Sequence, residues 1–297
     1  MRLVRIAAWC CAVSLALVVA ASFHPMVRSV YRAIRPSTSY DTEPPALPEL
    51  AAPAFLVFSK TNGFRHADAI QTGVKALRGI AERRGWSLFH TENGAVFDTP
   101  ILQRVRVLVW HNVSGAPLSD SQRAAVQEWI EGGGGFVGIH AALDDSHSAW
   151  EWYQRAVLGA SFIGHTMDHP RVPIRVEQRE HPTMAHLASR WEWADEWYSF
   201  DRSVRDQDGV EVLASLDEST YEPRMKLLWI DKEIAMGDHP IIWTRRVGAG
   251  RAFLSALGHN GSAFHAAEYQ AVLEGAIAWC GRLDEPDAER HRSETNE

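Results

Sequence analysis

The chain has 297 residues, is 46% hydrophobic and carries a formal charge of −7, which gives apolar material enough for one substantial packed domain and excludes disorder as its main state. No stretch interleaves Lys/Arg clusters with aromatic residues, so nucleic acid is excluded as a partner. Cys10 and Cys11 sit in the N-terminal leader and Cys280 near the end of a predicted helix, so the remaining chain holds no pair for a disulfide framework.

In chain order, Arg2 and Arg5 precede an apolar run from Ile6 to Phe23, about the length that crosses a thin hydrocarbon layer as helix. Two readings of residues 1–23 stand: a secretory signal cut near Val18–Ala21, or an uncleaved anchor that makes the membrane a partner. Both export the domain to the periplasm or another extracytoplasmic space. Residues 24–53, with PSTSYDTEPPALPELAAP at 36–53, read as an extended linker rich in proline. The domain is expected over 54–283, and the charged, aperiodic residues 284–297 read as a disordered tail.

Within the domain AFLVFS (54–59) reads as a buried strand, and Ile70, Val74, Leu77, Ile80 and Ala81 repeat at helical spacing until Gly85. WSLFHT (86–91) and VRVLVW (105–110) are further strands. Ser119 and Gln122 form a capping-box pattern before a helix with Ala125, Val126, Trp129 and Ile130 inward. Gly132 to Gly135 stop that helix and make a turn, and FVGI (136–139) is the fourth strand. Alternating β and α units with continuous apolar strands predict an α/β three-layer sandwich around a mostly parallel central sheet. Further on, a short helix is expected at 150–160 and strands at 172–177 and 210–216, with LLWI (227–230) and PIIW (240–243) pairing beside the latter. RAFLSAL (251–257) is a last strand before a helix over about 263–279.

Ligands of such sheets collect beyond the carboxyl ends of the strands. Three predicted strand ends deliver His66, His140 and His259 to that rim. One histidine there is ordinarily a structural hydrogen-bonding group; three make a candidate centre. The glycine run lacks the spacing and the Lys-Ser/Thr ending of a phosphate loop, so no nucleotide or flavin is expected. GHTMDHP (164–170) offers His165, Asp168 and His169 as metal donors or as ordinary loop residues, while His181 and His186 in EHPTMAHL read as part of a proline-shaped turn. In ADEWYSF (194–200), Asp195 can orient a turn that aims Glu196 into a pocket walled by Trp197 and Tyr198, a setting that suits an uncharged polyol.

Taken together, SKTNGFRHAD, GGGGFVGIHAA, LGASFIGH, EHPTMAHL, DEWYSF, GAGRAFLSALGHN and IAWC occur in an order that resembles the ThuA-like, or trehalose-utilisation, family. The resemblance covers residues 54 to 282 and implies a divergent class I glutamine-amidotransferase-like (flavodoxin-like) fold. It places His140 where the amidotransferase relatives carry a nucleophilic cysteine, so glutamine-derived ammonia transfer is not expected. It implies a small carbohydrate or carbohydrate derivative as partner, hydrolysis or isomerisation of a substrate such as a keto-glycoside, and a divalent metal of unspecified identity. His140, Glu196 and His259 are the expected catalytic residues. His66, His140, His165 and His259 are the expected metal ligands, and Asn62, Trp197, Tyr198 and Asn260 the expected substrate contacts. The alternative is a non-catalytic sugar-binding or envelope-associated module.

Overall fold

The computed structural model describes residues 25–285. The leader expected at 1–23 lies outside the described residues, as does the tail from 286 onward. Among the described residues no helix is long and apolar enough to cross a membrane. The segment expected to be wholly extended begins instead with a helix, α1 (Pro25–Ile34), because proline is tolerated in a first helical turn and no further proline interrupts the next nine residues. Residues 36–53 lack regular structure but lie against the domain. Ser37 N donates to Asn62 O, Gln122 Nε2 to Asp41 O, Asn93 Nδ2 to Glu43 O and Arg104 Nη2 to Pro48 O, while Leu47 and Leu50 pack on the core.

The βα repeats then form as their patterns require. They are β1 (Ala54–Phe58), α2 (Ala67–Arg84), β2 (Ser87–Thr91), β3 (Val107–His111), α3 (Asp120–Glu131) and β4 (Gly135–Ile139). Gly85 ends α2 in the left-handed conformation, and Ser119 and Gln122 complete the capping box of α3. Within the glycine run Gly133 has φ +111°, and a side chain on Gly135 would sit 2.6 Å from the Cys280 carbonyl oxygen. The run is therefore a close crossing of strand and helix end, not a ligand cradle.

The chain continues through β5 (Phe162–His165), β6 (Arg171–Val176), β7 (Arg190–Ala194), β8 (Tyr198–Phe200), β9 (Val210–Leu216), β10 (Arg224–Leu227), β11 (Ile230–Glu233), β12 (His239–Val247), β13 (Gly250–Ser255) and α4 (Ala267–Cys280). One nine-stranded sheet runs β2-β1-β3-β4-β13-β12-β9-β6-β7. Its first five strands are parallel, in the 2-1-3-4-5 order of a flavodoxin-like sheet, and the remaining four continue it antiparallel. Both faces are covered. On β3 the neighbouring residues Trp110 and His111 point to opposite sides, Trp110 to Tyr153 and Phe136, His111 to Phe264 and the Ala69 carbonyl of α2.

The expectation for LLWI is corrected. Leu227 and Ile230 are the ends of a separate β10–β11 hairpin whose turn is Leu228–Trp229, with Leu228 at φ +54° and both turn side chains exposed. Only PIIW, within β12, pairs with β9.

Two fully buried histidines set an acid limit on this core. His111 Nε2 donates to Ala69 O, His147 Nε2 lies against Val113 O and Ala141 O, and burial pushes each imidazole down to about 4. A depressed histidine value means that the unfolded chain binds protons first as pH falls below its ordinary value of 6.5. Stability is therefore lost from that pH downward to the folded value. Between pH 7 and pH 5 the pair is expected to remove on the order of 3–4 kcal/mol of unfolding free energy. Denaturant titrations at the two pH values measure this, and His147→Gln, which keeps the donor, should flatten about half of the difference; an equal slope in the variant contradicts the assignment.

Candidate metal centre

Three strand ends converge at the carboxyl edge of the parallel half. The loop after β1 brings His66 to the start of α2, β4 ends directly at His140, and the turn after β13 carries His259. His140 has φ +53°, a left-handed conformation unfavourable for a side-chain-bearing residue, and is completely buried. Strain of this kind persists where the surroundings over-determine it, typically at functional sites.

The four groups His66, His140, His259 and Glu196 each offer a ligand atom, and these atoms lie within 4.8 Å of one another. The His66 ring is 4.7 Å from that of His140 and 4.9 Å from that of His259. Glu196 Oε2 stands 3.4 Å from His140 Nε2 and 3.0 Å from His259 Nδ1. Its other oxygen, Oε1, is 3.0 Å from His165 Nδ1 and 3.9 Å from His169 Nε2.

The surrounding main chain fixes which atoms are available. His140 Nδ1 lies 2.9 Å from the Ala256 carbonyl, which only accepts, so Nδ1 carries the proton and Nε2 faces the cluster. Such a second hydrogen bond is what orients a metal-binding imidazole. His66 Nδ1 is buried with no hydrogen-bond partner among the described residues. Three imidazoles, one carboxylate and no thiolate form a donor set suited to a divalent transition ion. The orphaned nitrogen and the aimed Nε2 show that the residues present fit one.

Electrostatics point the same way. Burial opposes ionisation of Glu196, but its contacts with His140 and His259 outweigh burial and hold it well below the usual carboxylate range. Burial, then the nearby His140 and His259, depress His66 well below the ordinary imidazole value, so it is neutral and keeps a lone pair. Burial likewise opposes charging His140, yet the adjacent Glu196 and then Asp195 raise it. The cluster therefore combines a neutral donor with a carboxylate anion and can hold positive charge.

Asp195 locks the halves of the site together. Its carboxylate accepts from Gly258 N (2.9 Å), His259 N (3.2 Å), Glu196 N (2.9 Å) and Trp193 Nε1 (3.1 Å). Asp195→Asn replaces acceptor capacity with donors facing N–H groups. It is expected to cost about 1–3 kcal/mol of stability and to weaken metal binding by roughly 10–100-fold. Calorimetric metal titration beside a denaturation curve tests it, and wild-type affinity in the variant would be the opposing result.

Of the residues expected to bind metal, His66, His140 and His259 come together. The fourth, His165, lies outside that group, its Nδ1 3.0 Å from Glu196 Oε1 and 2.8 Å from Thr166 O, and Glu196 stands beside the three histidines instead. Glu196, expected as a catalytic residue, offers one of the four candidate ligand atoms. Trp197 is 1% and Tyr198 3% exposed, so neither forms an open wall; Trp197 Nε1 donates to Pro170 O, and the Tyr198 ring lies 4.4 Å from His140. Asn62 gives both amide hydrogens to the Ser39 and Ala116 carbonyls. Half-buried Asn260 reaches His169 Nδ1 at 3.3 Å. Asp168 is exposed, His181 bonds Thr183 in its turn and His186 Nε2 reaches Glu268 O. The spacing gave no sign that the Ala256 carbonyl orients His140 or that Thr166 Oγ1 accepts from Trp197 N.

The model of the ThuA family, described as trehalose utilisation, matches residues 54–280. The chain belongs to the ThuA family. This membership ties it to carbohydrate metabolism. Among solved structures it is similar to a ThuA-like protein from Bacteroides uniformis at 22% identity and TM-score 0.68, over 83% of this chain and 98% of that one. A ThuA-like protein from Parabacteroides merdae is similar at 17% identity and TM-score 0.57, over 77% of this chain and 89% of that one. No curated protein matches the chain. All four donors of the centre fall within the ThuA match.

Proposed function

We propose that this ThuA-family chain is a metal-dependent enzyme that hydrolyses or isomerises a carbohydrate derivative such as a keto-glycoside. The observation that carries the proposal is the convergence of His66, His140, Glu196 and His259 at the strand ends where such sheets bind ligands, in a family tied to trehalose utilisation. Bound there, a divalent ion supplies Lewis acidity toward a sugar carbonyl and lowers the pKa of water. The chain's own groups do the rest. His66, His140 and His259 hold the ion, with His140 fixed by Ala256 O. Glu196, ionised at neutral pH, adds the compensating charge. His165 donates its Nδ1 proton to Thr166 O, with Glu196 Oε1 3.0 Å from the same nitrogen, which leaves Nε2, without a hydrogen-bond partner among the described residues, to exchange a proton with a sugar hydroxyl or water.

The test is turnover of a 3-keto-disaccharide by the purified chain before and after chelation. Activity should disappear on chelation and return when Zn²⁺ or Mn²⁺ is restored. Turnover indifferent to the chelator would remove the metal from the reading, and binding of the sugar without turnover under any metal would favour the sugar-binding module.

A further inference from the structure

Helix α1 turns its apolar side away from the protein. Met26, Val27, Val30, Tyr31 and Ile34 fall within one stripe about 140° wide at 100° per residue, and all five are exposed, Tyr31 by 64% and Ile34 by 75%. Ser29, about 60° beyond the Met26 edge of the stripe, faces inward, where it is buried and donates its hydroxyl to the Arg65 carbonyl. Exposed Arg35 and Arg28 border the Tyr31 edge of the stripe, exposed Arg32 lies on the side opposite it, and the helix contains no acidic residue. Water is a poor solvent for such a face, which would cost less buried in a core.

We infer that α1 lies in the surface of an anionic lipid bilayer, its stripe among the acyl chains and its arginines at the headgroups. Three features select this occupant. The helix pairs an apolar face with a charged side that is wholly basic, as an interfacial helix does. Its positive charge complements anionic lipid. It also follows, after one residue, the uncharged apolar run of residues 6–23. Because Ser29 contacts Arg65, the neighbour of His66, the membrane would lie beside the loop that carries one side of the metal centre. This inference stands apart from the proposed chemistry, and neither depends on the other.

The test uses the full chain in a Cys10→Ala, Cys11→Ala background, with Cys280 buried. Bimane is attached at Tyr31→Cys or, as a control, at exposed Thr38→Cys. Samples are reconstituted in phosphatidylcholine vesicles with and without phosphatidylglycerol. With phosphatidylglycerol present, doxyl-lipid should quench the label at 31 at least about twofold more than the label at 38, and iodide should quench it less. Replacing Arg28, Arg32 and Arg35 by glutamine should remove the advantage of phosphatidylglycerol. A label at 31 open to iodide and untouched by doxyl-lipid overturns the inference. So does a label shielded from both quenchers, which would mean cover by a second copy or by residues 1–24. Equal lipid quenching with and without phosphatidylglycerol overturns the assignment of an anionic surface.

Discussion

Zn²⁺ titrated into the purified chain is expected to fill one tight site, and His140→Ala to weaken that site by at least about 100-fold, since losing a ligand costs more than losing the partner that orients one. His140 is the most constrained of the donors. It is fully buried, held at φ +53° and fixed in one tautomer by the Ala256 carbonyl, so no neighbouring side chain can swing into its place. The alanine variant also relieves the left-handed strain only in part, so its thermal midpoint must be followed in parallel, and His140→Gln serves as a second variant that keeps most of the volume. His165→Ala should lose far less affinity, because His165 touches the outward oxygen of Glu196 and not the shared space between the rings. Equal losses for His140→Ala and His165→Ala would show that the ion, if bound, is not held by the four groups named here.

The second large effect concerns Glu196. Glu196→Gln preserves the shape but removes the negative charge that His140 and His259 share. The other Glu196 oxygen stands 3.0 Å from Nδ1 of His165, the proposed proton-exchanging group, so at saturating metal kcat on a 3-keto-disaccharide is expected to fall by roughly 10²–10⁴-fold, the range found when a positioned acid or base is impaired. Steady-state kinetics at several metal concentrations separate this from weaker metal binding: a defect cured by excess metal assigns Glu196 to holding the ion alone, and an unchanged kcat removes it from the chemistry.

The parallel half of the molecule was legible because its physics is local and repetitive. The strands β1, β3 and β4 are buried along their whole length, while β2 at the sheet edge is mostly half-buried, so the sequence shows unbroken apolar runs that end where the next element's pattern begins. The ends of β1, β4 and β13 therefore put His66, His140 and His259 on one edge of the sheet. Glu196 was recognisable as a pocket carboxylate, but its place among the donors depends on Asp195 reaching the Gly258 and His259 amides, more than sixty residues away; no spacing encodes such a contact. The same limit applies to His165, whose β5 strand pairs with β8 through an irregular register. LLWI reads as a strand by composition, yet a β-hairpin turn can expose apolar residues when neighbouring strands supply its pairing. The helix α1 was missed for a different reason: the prolines from Pro36 to Pro53 dominate the composition of the segment and hide the amphipathic repeat just before them.

Anomalous diffraction from crystals grown with Zn²⁺ tests the central claim most directly. The account predicts one peak at about 2.0–2.2 Å from a nitrogen of each of His66, His140 and His259 and from an oxygen of Glu196. A peak elsewhere with these four side chains unshifted, or rings that stand in separate closed environments with no ion between them, would contradict it.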